Sequence, residues 1–363
     1  MGAMRRVTSG TRPVSLRFAV LVPAHDEEVG IADTVTSLRR MRHGERPPRI
    51  VVIADNCTDS TARRAAEAGA EVLVRYDPAR RGKGYALAWG FERVLRDDEL
   101  DAVAVVDADC RVSENLLGAL ARALAEGGAA QCAYLVANPD DGAAAAVRAA
   151  GFAVTNTMRP RGRSSLGLSA GLLGTGMAFR RELLERHPWR AFSYAEDREQ
   201  HLALVLAGER VAFAADGWVS SPMPVSLAEA EQQQARWESG RLTLARRASS
   251  RLVRRWWVER DLVALDAALE PLMPSQAVLA ALNGTSIALG VLSGHRRLIP
   301  WAAGNLAVQV ACVGVALRLV NAPPSVYRSL VLAPALVARR VALLGRLVRG
   351  RGPSTWVRTT RRR

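Results

Sequence analysis

Short apolar runs separated by amphipathic stretches fill the first half of the chain. Residues 17–25 (RFAVLVPAH), 49–55 (RIVVIAD), 71–77 (EVLVRYD) and 102–109 (AVAVVDAD) are rich in Val and Ile. Such runs suit strands buried on both faces of a parallel sheet. Between them, 26–41, 56–69 and 84–98 carry helical spacing. The first has acids in its opening turn and Arg39 and Arg40 at its end, which complements the helix dipole. The second opens on Thr58, Asp59 and Ser60 and stops at Gly69. A helix is expected after Ser113, a strand at 131–138, helices at 182–189 and 195–208, and a strand at 211–219. This alternation predicts an α/β fold built on a doubly wound, mostly parallel sheet. That domain is expected over 17–250, after a basic flexible tail at 1–16. Within it, Gly167–Arg180 is rich in Gly and poor in charge, so its backbone can approach a ligand closely.

The pattern changes after residue 250. An amphipathic linker helix is expected at 251–274. Residues 276–292 and 301–320 contain no acid, and each is about long enough to cross a hydrocarbon core of ~30 Å. They predict a transmembrane helical hairpin over 275–320. The first segment carries Gln276, Asn283, Thr285 and Ser286, so a packed helix outside the membrane is the alternative there. Arg clusters at 246–255 and 339–351 outweigh Arg296 and Arg297 in the turn, which puts both flanks on the cytoplasmic side of a bacterial-type membrane. Residues 321–363, interrupted by Pro334, suit an interfacial amphipathic helix and basic tail. The C-terminal region is thus expected to be helical and membrane-associated, with Trp256 and Trp257 at headgroup level.

Charge narrows the partners. Lys and Arg number 50 against 35 Asp and Glu, for a net charge of +15. The Arg clusters flank apolar segments and lack interleaved aromatics, so anionic membrane lipid is the expected acidic partner and nucleic acid is not. Cys57, Cys110, Cys132 and Cys312 are scattered without metal-ligand spacing, which argues against zinc and a disulfide framework. Phe18–Ala24 is a strand-length apolar run with Pro23 inside it and acids immediately after, so no signal peptide is expected. Every basic residue is Arg except Lys83, which sits between Gly82 and Gly84.

Candidate chemistry gathers where strands end, because the ligand crevice of an open α/β sheet lies at the carboxyl ends of its strands. Asp107 and Asp109, around the small Ala108, can face a hard cation, although an isolated D-x-D also suits a solvated turn. Pro23, His25 and Glu27 form a pocket edge after the first strand. Asp55 ends the second strand as an acceptor for a base ring N–H. Lys83 can deliver a point charge to phosphate, or simply occupy a basic turn. Glu196 and Asp197 open a helix, where acids are also ordinary dipole partners. Gln233, Arg236 and Trp237 share one helical face, suited to a diphosphate and a sugar ring or to plain packing.

In order and context these motifs resemble family 2 glycosyltransferases of the GT-A fold, in particular the bacterial branch of cellulose, chitin-oligosaccharide and hyaluronan synthases. The resemblance covers 17–247 and runs loosely to Trp356-Val357-Arg358-Thr359. It implies nucleotide and metal binding by Asp55, Asp107 and Asp109, with Mg²⁺ or Mn²⁺ as cofactor. It also implies Asp197 as general base, a diphosphate-binding Q-x-x-R-W at Gln233, Arg236 and Trp237, and Lys83 as the glycine-flanked lysine. Gly174, Thr175, Gly176, Glu196 and Trp237 are the expected sugar and acceptor pocket. The implied reaction is inverting transfer from a nucleotide-diphospho-sugar, expected to be a UDP-sugar, to a glycan or lipid-linked acceptor. At most two spans are visible, which favours transfer of one or a few sugars over polymer export. A sugar-1-phosphate nucleotidyltransferase would carry a Gly-rich loop where PAHDEE stands, and a non-catalytic sugar-nucleotide-binding membrane protein would keep the fold.

Overall fold

The computed structural model describes residues 16–42, 47–224, 250–335, 337–339 and 342. Gln233, Arg236 and Trp237 lie outside the described residues, as do the basic tail up to residue 15 and most of the segment after 335.

One eight-stranded sheet organises the first domain. In chain order its strands are β1 (Phe18–Ala24), β2 (Arg49–Asp55), β3 (Glu71–Arg75), β4 (Ala102–Val105), β5 (Arg111–Val112), β6 (Ala129–Val136), β7 (Met177–Arg180) and β8 (Val211–Ser221). Across the sheet the order is β3-β2-β1-β4-β7-β6-β8-β5. The first four pair in parallel, as do β6 and β8, while β7 and β5 run antiparallel to their neighbours. The β-branched runs do what a doubly covered sheet requires. Val20, Val22, Val52 and Ala104 enter one apolar layer, under α1 (Ile31–Arg39), α2 (Thr61–Glu67) and α4 (Leu116–Leu124). Leu21, Val51, Ile53 and Val105 enter the other, under α3 (Lys83–Val94) and its neighbours. Each such side chain contributes roughly 1.5–3 kcal/mol by leaving water.

Two expected helices begin late. The 26–41 helix starts at Ile31 and the 56–69 helix at Thr61, because Asp26 (φ 53°) and Asn56 (φ 50°) adopt left-handed conformations that helices exclude. Strand β7 emerges from the Gly-rich stretch, where no strand is expected from the pattern. The Ala-rich segment forms α5 (Ala143–Phe152), which passes through a π turn (Ala153–Met158) into α6 (Arg159–Ser165). Helices α7 (Arg181–Arg186) and α8 (Glu196–Leu206) follow.

The linker, expected as one helix, is broken in two. Helix α9 (250–259) ends before Arg260 (φ 56°), and the Asp261 side chain accepts from the N–H groups of Val263 and Ala264 to start α10 (Leu262–Leu269). A 3-10 turn (Glu270–Leu272) then leads into α11 (Gln276–Leu292), α12 (Leu298–Leu319) and α13 (Pro324–Ser329). Helices α11 and α12 form a hairpin in which Gln309 Nε2 donates to Gln276 O at 2.6 Å. Helix α12, with 22 residues, is long and apolar enough to cross a membrane; α11 qualifies only together with the preceding α10 segment, from which it bends by 70°. Toward its C-terminal end α12 packs Val313, Ala316 and Leu317 on Ala150, Ala153 and Val154. The small alanines allow that close approach, and they tie the hairpin to the first domain.

Candidate active site

Because β7 runs against β4, its start meets the end of β4, with Val105 opposite Met177. The Gly174-Thr175-Gly176 segment therefore arrives beside Asp107, and Gly176 N–H donates to Val105 O at 2.9 Å. Thr175 is fully buried and its hydroxyl accepts the Asp107 N–H at 3.1 Å. Gly176 (φ 66°) has no room for a side chain, since a Cβ there would lie 2.3 Å from Cys132 Sγ. On the other flank, Thr34 donates its hydroxyl to Ala108 O at 2.8 Å. The Asp107-Ala108-Asp109 turn is thus held from both sides, with the two carboxylates half-buried and Ala108 buried.

Lys83 opens α3 at the same rim. Its ammonium lies 2.6 Å from Asp107 Oδ1 and 3.7 Å from Glu196 Oε1, and donates to Gly174 O at 2.8 Å. It can reach there because α3 and the loop before α8 cross backbone to backbone: a Cβ on Gly84 would sit 2.2 Å from Ala191 O. Asp197 joins the group, with its Oδ2 3.6 Å from the position of a Cβ on Gly174. The sequence-predicted Lys83, Asp107, Gly174, Thr175, Gly176, Glu196 and Asp197 are brought together from four separate segments.

Electrostatics follow from that crowding. Burial alone would lower the Lys83 ammonium, but Asp107 and Glu196 outweigh it and hold it above its ordinary value. Burial pushes the Glu196 carboxyl up to about 7 against the pull of Lys83, with Asp197 adding to the rise. Burial also raises Asp197, opposed by Arg198 and Lys83. The site therefore holds carboxyls that take up protons far more readily than free ones.

A second set interlocks the ends of β1 and β2. Asp26 Oδ1 accepts the Thr58 N–H at 2.7 Å, the Glu27 N–H donates to the Thr61 hydroxyl at 2.7 Å, and the Glu28 N–H donates to Asp59 at 3.1 Å. His25 Nδ1 lies 2.7 Å from Asp55 O. Pro23 pairs in register with Ile53. Asp55 is buried, and its Oδ1 accepts from Arg75 at 2.5 Å and from Asn56 at 3.0 Å. Its carboxylate is thus already engaged by a guanidinium.

Two site residues escape the pattern reading. Arg75, buried at the end of β3, pairs with Asp55 and reaches on to Asp77 Oδ2 at 3.1 Å and Arg80 O at 2.9 Å, which fixes the loop leading to Lys83. The register Asp55 opposite Arg75 was the available signal, since a charge closing one buried strand needs its partner closing the next. Gln131 in β6 is fully buried. Its amide donates to Thr175 O at 2.8 Å and accepts the Leu173 N–H at 2.9 Å.

A family match accompanies this geometry. The family described as "Glycosyltransferase like family 2" matches residues 16–240, more than half of the chain, and the chain belongs to that family. Its fold is that of the GT-A enzymes. Low-salt glycan biosynthesis hexosyltransferase Agl6 of Haloferax volcanii is 35% identical over 102 residues, which span 28% of this chain and 23% of that relative. Among solved structures, the mannosyltransferase PcManGT from Pyrobaculum calidifontis, in complex with GDP-Man and Mn²⁺, superposes with a TM-score of 0.53 at 18% identity. That match covers 95% of this chain and 90% of the other, so the likeness in fold extends through the C-terminal helices. Glucosyl-3-phosphoglycerate synthase from Mycobacterium tuberculosis, in complex with Mn²⁺, UDP and phosphoglyceric acid, is 22% identical over 62% of this chain and 78% of that one, with a TM-score of 0.41.

Proposed function

We propose that the chain transfers a hexosyl or N-acetylhexosaminyl group from a nucleotide-diphospho-sugar, a UDP-sugar first among them, to a hydroxyl of a glycan or lipid-linked acceptor, with inversion. The observation that carries this reading is the meeting of Lys83, Asp107, Glu196 and Asp197 around the Gly174 carbonyl. A diphosphate needs cationic and hard-oxygen chemistry on one side, and an attacking hydroxyl needs a proton acceptor on the other.

Asp107 and Asp109 offer half-exposed carboxylate oxygens on a turn fixed by Thr34 and Thr175. That donor set fits Mg²⁺ or Mn²⁺, whose bound form supplies charge neutralisation to a departing diphosphate. Lys83 offers a permanent positive charge to the same phosphate oxygens. Asp197 takes the acceptor proton as the hydroxyl oxygen bonds to the anomeric carbon; the bond from that carbon to the diphosphate breaks, and the nucleoside diphosphate leaves with the electron pair. Glu196 holds Lys83 from the sugar side. Pro23, His25, Glu27 and the Asp55–Arg75 pair frame the base, and Gln233, Arg236 and Trp237 are assigned to diphosphate and acceptor from sequence alone.

Helix α12 supports a site at the membrane surface, and the Arg clusters on both flanks support its cytoplasmic face. The test is nucleotide release from a panel of UDP-sugars and GDP-mannose, with and without Mn²⁺, using membranes that contain the full chain. Metal-dependent release from one donor is expected. Pyrophosphate release from a nucleoside triphosphate would instead favour a nucleotidyltransferase, and donor binding without turnover a non-catalytic protein.

A further inference from the structure

Behind Asp197, three guanidinium groups share one neighbourhood. Arg198 follows Asp197 in the first turn of α8, while Arg159 and Arg163 stand one turn apart on α6. Arg163 is fully engaged, 3.1 Å from Asp266 and 3.2 Å from Glu270. Arg159 and Arg198 are not. Among the described residues, Arg159 Nη2 meets only the Met273 thioether, at 3.0 Å, and the Arg198 side chain has no carboxylate in salt-bridge range. Burial, then the charge of Arg163, lowers the Arg159 guanidinium; Arg198 adds to the repulsion, and Glu270 and Asp266 offset only part of it. Asp266 and Glu270 are the acids of this neighbourhood, and both are ion-paired to Arg163, which leaves the half-buried Arg159 and Arg198 with attraction to Glu270 only beyond ion-pair range; the guanidinium fork matches phosphate.

Their position is informative. The π turn that leads into Arg159 packs Ala153, Val154 and Met158 on the C-terminal part of α12. Met273, which the Arg159 guanidinium touches, lies three residues before the start of α11. The unpaired guanidinium groups therefore lie between Asp197 and the root of the apolar hairpin.

We propose that Arg159 and Arg198 bind the phosphate of a phosphate-bearing acceptor, with a lipid phosphate as its source. This deepens the transferase reading and rests on it for the role of Asp197. A phosphate gripped there holds the acceptor beside the proton-accepting carboxylate, while a lipid tail lies along α11 and α12. A soluble phosphate ester presents the same head but gains nothing from the hairpin.

The test is direct binding to the full-length protein in detergent micelles, using farnesyl phosphate, farnesol and glycerol 3-phosphate as probes. Farnesyl phosphate is expected to bind and farnesol not to compete. Arg159→Gln and Arg198→Gln should each weaken farnesyl phosphate by about tenfold or more, as loss of a charged hydrogen bond does, and the Arg→Lys versions should recover part of it. Glycerol 3-phosphate binding as tightly, with the same arginine dependence, would uphold the phosphate site and overturn the lipid source. Equal binding of farnesol, or wild-type affinity in both Gln variants, would overturn the site. Mn²⁺-dependent nucleotide binding, measured in the same samples, should survive both variants; its absence from the wild type would count against the transferase reading alone.

Discussion

Replacing Gln131 by Leu tests whether the Leu173–Gly176 loop is held by a single buried amide. Gln131 donates to Thr175 O at 2.8 Å, Cys132 O at 2.9 Å and Gly176 O at 3.3 Å, and accepts from Leu173 at 2.9 Å. Leucine fills much of the same volume but strands the Leu173 N–H and the Thr175 carbonyl in a dry interior. At roughly 1–3 kcal/mol for each unsatisfied group, less the gain from a more apolar side chain, the net loss is about 3 kcal/mol. For a domain of this size that lowers Tm by about 6–12 °C. The functional loss should exceed what instability alone produces, because Thr175 supports the Asp107 N–H and Gly174 receives Lys83. The assay pairs tryptophan-monitored melting in detergent with donor turnover well below the variant's Tm, where kcat should fall by more than KM changes. A Tm within about 2 °C of wild type together with normal turnover would refute the reasoning, since it would mean the loop carries its own order.

Three further outcomes follow from the site. Asp197→Asn should keep donor binding and lose transfer by about 10²- to 10⁴-fold, the usual size of a general-base effect; unchanged single-turnover rates would remove Asp197 from the chemistry. Gly176→Ala should cost about 2–4 kcal/mol, because its Cβ would meet Cys132 Sγ at 2.3 Å on a backbone with φ 66°, and Cys132→Ala in the same chain should restore part of the loss in chemical denaturation. His201 is buried against Ser169 at 2.9 Å, and burial lowers its imidazole to about 4. A depressed histidine contributes stability above its unfolded value near 6.5 that is lost as pH falls toward 4, amounting to about 2 kcal/mol by pH 5. Melting curves at pH 7.5 and 5 should therefore diverge more for wild type than for His201→Gln; equal divergence would exclude the histidine as the cause.

Much of the frame was legible because its central strands are uninterrupted. Phe18–Ala24, Arg49–Asp55 and Ala102–Val105 each have nowhere to place their Val and Ile except between two layers, so runs of that composition define strands by themselves. Strand β7 was hidden because its four residues follow four positive-φ glycines, and glycine composition reads as loop. Helix α5 was hidden for the opposite reason: alanine on every face gives no periodicity, and the apolar partners it shares with the π turn, on α13 and α12, lie far along the chain. The same distance explains the site. Lys83, the Asp107/Asp109 pair and Glu196-Asp197 stand out as residues, but Gln131 looks like any polar position in a strand until Thr175 is placed beside it. The late starts of α1 and α2 depend on Asp26 and Asn56 taking left-handed backbone, which Asp and Asn permit without announcing.

Lys83 has a practical consequence that reaches past its ion pairs. In a chain whose other basic residues are all arginine, its ε-amine and the N-terminal amine are the only primary amines. Biosynthetic incorporation of lysine carrying ¹³C at its ε-carbon would therefore place one lysine label in this sequence, at the contact between Asp107, Glu196 and the Gly174 carbonyl, and would leave the side chain chemically unaltered. A single NMR resonance would then report in real time on every ligand that enters the cleft.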